Sequence, residues 1–372
     1  MFIIIKYKSL IVNKIMEKKF NFSDLKSTLF GGNSKIVHQM ELMVDKEVKE
    51  AFLGEPINSI IEEIDFWYKA GYEYIPIVIS VFGFMGDDNN IEITQEKNFK
   101  YSKYSFSPQK RSWAREGKGV ITTFKEFHNF PWPDPEKIDL SIFLKAREKI
   151  QKEIGIIGVI PRIFVAVWML MGFEQFSYSL IDQPELVSAI FNKVGEIQYR
   201  IIYRLSQEAD VDAIWLGDDI AYGQGLMISH SILKSLLFPW YKEIGNICKK
   251  NHAPFIYHSD GNLFEVMNDL IDCGINALHP VEPNAMDAVI LKKEFGKHIC
   301  IIGNIELDIL SRGSIQDIEK LTLSRLKKLW NYGGYCPGSS NSVSNYVPLE
   351  NYLAMLRSIQ YFRENIEVIK KD

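Results

Sequence analysis

From Ala213 onward, short and nearly unbroken apolar runs alternate with stretches whose apolar side chains recur every three or four positions. That alternation is the mark of strands joined by helical crossovers rather than by hairpins. The runs are AIWLG at 213–217, PFIYH at 254–258, INALHP at 275–280, ICIIG at 299–303 and GYCPG at 334–338. Continuous apolarity predicts strands covered on both faces. Upstream, VHQMELMV at 37–44, EYIPIVISVF at 73–82 and GIIGVIP at 155–161 read the same way and bring the expected strands to eight. Two helices have legible ends. Asn262 stands as a cap before LFEVMNDLIDC, which stops at Gly274, where a left-handed residue is wanted. Asp182 with Glu185 three positions on has the form of a capping box, followed by Leu186, Ile190, Val194, Ile197 and Ile201 at helical spacing. Eight such units fit a closed barrel or an open doubly wound sheet, and periodicity alone does not separate the two.

Residues 84–150 break the pattern. This stretch, with Trp113, Gly117, Gly119 and the Pro-rich FPWPDPE, reads as an insertion after the second strand, and long ordered insertions commonly serve as lids. Residues 1–35 read as an N-terminal extension: the run MFIIIKYKSLIVNKIM is interrupted by Lys6 and Lys8, has no A-x-A-like cleavage site and is too short for a bilayer. Met16 is an alternative start. With 47% hydrophobic and 24% charged residues, the composition excludes the disordered class. The net charge of -4 comes without a basic block, which argues against nucleic acid and for a small-molecule substrate. Cys248, Cys273, Cys300 and Cys336 lie far apart without a CxxC pair, which fits core thiols in a reducing compartment; a cytoplasmic location with no membrane association is the expectation.

In both candidate architectures ligands bind beyond the carboxyl ends of the strands, and polar residues crowd there. Asp218 and Asp219 follow AIWLG; His258, Ser259, Asp260 and Asn262 end or follow PFIYH; Glu282, Asn304 and Glu306 follow the next two strands; Ser339, Ser340, Asn341 and Ser342 follow the last. Each also has a bland role as a turn former or helix cap. Strand alternation should turn His258 and Asp260 the same way, as a base with its orienting acid or as a ligand pair. There is no GxxxxGK[ST], GxGxxG after a strand, GxSxG or HExxH, so phosphate-cradle, dinucleotide, serine-elbow and zincin chemistry lack their marks.

WLGDDIAYGQGLMIS, FIYHSDGN, GINALHPVEPNAMD, CIIGNIELDILSRGS and GYCPGSSNSVSNYVPLENYLAML are similar in order and spacing to motifs of the uroporphyrinogen-decarboxylase superfamily, and RSWAREGKGVITTFKEFHNFPWPDPE resembles the insertion of its methyltransferase-like members. The resemblance covers roughly residues 36 to 362. It implies a (β/α)8 TIM barrel over 36–372, with 84–150 as insertion or lid, and a corrinoid-dependent methyltransferase acting between a methyl donor or methylcorrinoid and an acceptor. The alternatives are a tetrapyrrole carboxy-lyase and a non-catalytic corrinoid- or porphyrin-binding protein. Against the decarboxylases, VHQMELMVD stands where they carry an arginine-rich stretch, so bidentate partners for several substrate carboxylates are missing. Against the thiol-methylating branch with its His-x-Cys and later Cys, His258 matches the first zinc ligand, Asp260 replaces the second, Asn341 falls near the third and Cys336 is out of register. The expected catalytic cluster is Asp218, Asp219, His258 and Asp260. Trp113, Arg115, Tyr222, Glu282, Asn304, Ser340 and Asn341 are expected to bind substrate. His258, Asp260 and Glu282 would suit zinc or another divalent metal, with the corrinoid carried by a partner protein; a metal-free site is the other option.

Overall fold

The computed structural model describes residues 21–32, 34, 36–79, 81–82, 94–99, 109–114, 119–330 and 334–366. Seven of the eight apolar runs form one sheet whose hydrogen-bonded order follows the chain. The strands are β1 (Tyr74–Val78), β2 (Gly155–Pro161), β3 (Ala213–Gly217), β4 (Phe255–His258), β5 (Ala277–His279), β6 (Cys300–Ile305) and β7 (Tyr335–Ser339). The pairs β3–β4, β5–β6 and β6–β7 are parallel. Helices Phe238–Lys250, Met267–Asp272, Ala288–Phe295 and Ile315–Leu329 fill the crossovers from β3 to β7, so the architecture is α/β. Every residue of β4, β5, β6 and β7 is buried, as their continuous apolarity requires.

Two compact units divide the chain, one falling within Met1–Pro76, Ile142–Ile157 and Asn276–Asp372, the other within Ile77–Ser141 and Gly158–Ile275. In the second unit the helix Pro184–Glu208 buries Leu186, Ile190, Val194, Ile197 and Ile201 along one face, as their spacing predicts. Its start differs from expectation. The helix Phe173–Asp182 ends at Asp182, and the next opens on Pro184 with Gln183 as cap and no side-chain cap bond, so the Asp182–Glu185 capping box does not form. Proline at the first position supplies the start instead, since its fixed φ suits the helix and its missing N–H would be unpaired there in any case. Asn262 does cap locally: its Oδ1 accepts from Phe264 N at 3.1 Å, opening a 3-10 turn that leads into Met267–Asp272. The stop comes at Gly274, with φ +92°.

In the first unit, the segment 37–44 does not become the eighth strand. Met40 N donates to Pro337 O at 3.0 Å, Val343 N to Met43 O at 3.0 Å, and Val44 makes one isolated bridge to Val343. Between these points the ladder is diverted, because the Tyr74 hydroxyl lies 2.7 Å from Glu41 N and 2.6 Å from Glu41 O and takes both backbone groups. Gly338 permits the close approach of the two chains, since a Cβ there would stand 1.9 Å from Met40 O. Within 84–150, Thr94–Phe99 and Gln109–Ala114 pair as an antiparallel ribbon with Trp113 opposite Gln95; Arg115 lies outside the described residues. No single helix among the described residues is long and apolar enough to cross a membrane.

Candidate functional site

In the second unit β3 and β4 lie side by side, with Gly217 opposite His258, so the residues that follow them share one edge. Asp218 N donates to His258 O at 2.8 Å and extends the pairing by one step. The Asp218 side chain then turns inward, 1% exposed. Its Oδ2 accepts from Ile163 N at 3.0 Å, Phe164 N at 2.8 Å and the Tyr241 hydroxyl at 2.8 Å, and its Oδ1 from Val165 N at 2.9 Å. These backbone donors open the helix Phe164–Met171, whose first N–H groups have no intrahelical partner. Burial raises the Asp218 carboxyl to about 6, against the pull of those hydrogen bonds. The acid expected in the catalytic cluster is therefore a buried helix anchor, because its lone pairs are committed to four donors.

Asp219 faces the other way, with its side chain 45% exposed. Its Oδ1 accepts from Asp260 N at 2.9 Å and lies 3.5 Å from His258 Nε2, and Asp260 Oδ1 lies 3.9 Å from the same nitrogen. Strand alternation is not what unites His258 with Asp260, since β4 ends at His258. A turn does it. Ser259 Oγ accepts from Ile220 N at 3.1 Å and donates to Asp260 O at 2.9 Å, while Asn262 N donates to Tyr222 O at 2.9 Å. Gly261, at φ +88°, is needed at this point because a Cβ would meet Tyr222 N at 2.5 Å. Tyr222 thus holds the turn by its backbone, and its side chain is 54% exposed.

The ligand atoms of Asp219, His258 and Asp260 all lie within 4.8 Å of one another. Donors bound at about 2.1 Å to one tetrahedral ion stand roughly 3.4 Å apart, so the 3.5 and 3.9 Å separations fit a shared divalent cation with small adjustment. One imidazole and two carboxylates make a harder donor set than thiolates do. Asp219 is the third member of this group where the sequence pointed to Glu282.

Arg162, which sequence reasoning missed, belongs to the same surroundings. It follows β2 with φ +69°, a left-handed conformation that costs a bulky residue roughly 1–3 kcal/mol. The backbone is held there by Arg162 N donating to Gly217 O at 2.7 Å and by Gln198 Nε2 donating to Arg162 O at 2.9 Å. Burial lowers its guanidinium to about 10, and the charges of Asp219 and Asp218 oppose that shift. A lone arginine after a proline gives no pattern in sequence; the backbone angle is the signal.

The other expected residues lie in the first unit. Ser340 Oγ accepts from Leu307 N at 3.0 Å and so caps the helix Leu307–Arg312. Asn341 Oδ1 accepts from Ser342 N at 2.9 Å within its own turn. Glu282 opens the turn after β5, its carbonyl accepting from Ala285 N and Met286 N. Asn304 is fully buried at φ +71°, with its Nδ2 donating to Val281 O at 2.6 Å. Cys336 sits inside β7, its Sγ 3.9 Å from Cys300 Sγ, and both are buried.

The family model described as uroporphyrinogen decarboxylase (URO-D) matches residues 113–362. Among solved structures, a methyltransferase from Methanosarcina mazei aligns with a TM-score of 0.67 at 17% identity, covering 92% of this chain and 99% of that chain, a likeness of fold. No curated protein matches the sequence.

Proposed function

Because this chain belongs to the uroporphyrinogen decarboxylase family, we propose that it is a methyl-transfer enzyme that moves a methyl group between a methylcorrinoid, carried by a partner protein, and a nucleophilic acceptor. In this reading the fold is the family's (β/α)8 barrel, with seven strands in one sheet and segment 37–44 meeting β7 only through isolated hydrogen bonds. The observation that carries the reading is the Asp219–His258–Asp260 group beyond the ends of β3 and β4, where a barrel enzyme keeps its chemistry. The fold shared with a protein called a methyltransferase supports it.

Asp219, His258 and Asp260 would hold a divalent cation such as zinc. When bound, the cation supplies Lewis acidity that favours the deprotonated, nucleophilic form of the acceptor. The chain's own residues do the rest. Asp260 N–H fixes Asp219 Oδ1, so the carboxylate is oriented before anything binds. Asp218 pins the start of the helix Phe164–Met171 and the β3 edge together, which keeps Asp219 where it is. Arg162, whose cation is favoured by the charges of Asp219 and Asp218, offsets part of the charge of those two carboxylates.

The test is thiol-dependent demethylation of methylcobalamin by the zinc-supplemented protein, followed by the corrinoid absorbance. Turnover with at least one thiol of a small panel is expected, and His258→Ala should slow it by about a hundredfold or more. No demethylation with any thiol, together with carbon dioxide release from uroporphyrinogen, would move the chain to the carboxy-lyase reading.

A further inference from the structure

In the first unit three side chains stand in an order that the methyl-transfer reading does not require. Ser34 Oγ lies 3.0 Å from His38 Nε2, and His38 Nδ1 lies 3.1 Å from Glu73 Oε1. An ionised carboxylate only accepts, so the Nδ1 position carries the hydrogen and the Nε2 lone pair faces the serine hydroxyl. Ile36 N donates to Ser34 Oγ at 3.0 Å, which occupies one oxygen lone pair and leaves the hydroxyl hydrogen to point at the imidazole. His38 and Glu73 have side chains only 2% and 1% exposed, so this pair is shielded from solvent, whereas Ser34 is half-buried and reachable. A buried carboxylate needs a counter-charge to stay ionised. Arg363 provides it: the Glu73 charge favours the Arg363 cation against burial, and Arg363 Nε is anchored on Val37 O at 2.6 Å, next to His38.

We infer that Ser34, His38 and Glu73 form a second, independent site in which a base-activated serine accepts an acyl group from a small activated ester. A His–Glu pair that only tied 34–38 to the residue before β1 would need no third member. Here the nucleophile, the base and the orienting acid follow one another at hydrogen-bond distance, which is the arrangement that lets a neutral hydroxyl attack. In the acylation step Ser34 Oγ bonds to the ester carbonyl carbon, its proton passes to His38 Nε2, and the carbon–oxygen bond to the leaving group breaks as that proton is delivered to the departing alkoxide. Water repeats the sequence in reverse, releasing the carboxylic acid and restoring the serine. Glu73 accepts from Nδ1 throughout and stabilises the imidazolium that forms between the two transfers.

The experiment exposes the full chain at pH 8 to a fluorophosphonate and, separately, to p-nitrophenyl acetate, then locates adducts by peptide mass spectrometry. The expected result is one adduct on Ser34 in the folded protein and none in urea, where the three side chains separate. Ser34→Ala should lose the adduct, and Glu73→Gln should slow labelling by about a hundredfold. Equal labelling of the folded and the urea-unfolded chain, or no adduct on Ser34, would overturn the inference. The folded-against-unfolded comparison needs no variant and so decides the matter even if a substitution at buried Glu73 prevents folding. Methyl transfer should be unchanged in Ser34→Ala.

Discussion

Asp218→Asn is expected to lower the free energy of unfolding by about 3 kcal/mol. Four donors converge on the two Asp218 oxygens, three of them backbone N–H groups at the start of Phe164–Met171. An asparagine presents one acceptor oxygen and two N–H hydrogens, so its amide nitrogen would face donors. Buried donors deprived of a charged acceptor cost about 1–3 kcal/mol each, and local relaxation recovers part of that. Urea denaturation of wild type and variant at pH 7.5 measures the difference. A change under about 0.5 kcal/mol accompanied by lost methyl transfer would show that Asp218 acts on substrate instead.

Glu41→Gln should have the opposite sign and a pH dependence of its own. Glu41 is fully buried, and burial raises its carboxyl from 4.5 to about 8, against hydrogen bonds from Ser339. Its Oε1 accepts from Ser339 N at 2.7 Å and its Oε2 lies 2.6 Å from Ser339 Oγ. Between these two values the folded protein retains a proton that the unfolded chain has released, so stability falls as pH rises from about 4.5 through about 8. The full loss is of order 5 kcal/mol above pH 8, from about 1.4 kcal/mol for each unit of separation. A glutamine mimics the neutral acid: its oxygen accepts from Ser339 N and its amide can donate to Ser339 Oγ. The variant should therefore match wild type at pH 4 and exceed it by several kcal/mol at pH 9. Denaturation curves at the two pH values check this, and equal stabilities at pH 9 would mean that Glu41 is ionised without penalty.

Much of this molecule was legible before its structure, and the failures have local causes. Seven apolar runs became strands because unbroken apolarity demands burial on both faces. The eighth, 37–44, carries His38, Gln39 and Glu41 among its apolar residues and loses its ladder to one tyrosine hydroxyl, a partner 33 positions away that no local pattern reveals. The pair Asp218–Asp219 stands at the end of a strand, yet nothing in the pair says which acid turns inward; that is decided by N–H groups about 55 positions earlier. His258 and Asp260 come together as their spacing promised, although through the Gly261 turn rather than by strand alternation. Ser340 took its bland role as a helix cap, while Arg162 and Glu41 were invisible because a single charged residue becomes meaningful only once its backbone angle or its burial is known.

Calorimetric titration of the metal-stripped protein with zinc tests the central claim most directly, because it asks whether Asp219, His258 and Asp260 act together without thiolate. The account predicts one zinc per chain. Binding should weaken at least about tenfold in each of His258→Ala, Asp219→Asn and Asp260→Asn, since removing even a supporting group costs a metal site that much, and it should be unchanged in Cys300→Ala and Cys336→Ala. Zinc binding that survives the loss of His258 but disappears with either cysteine, or no binding at all, would contradict it.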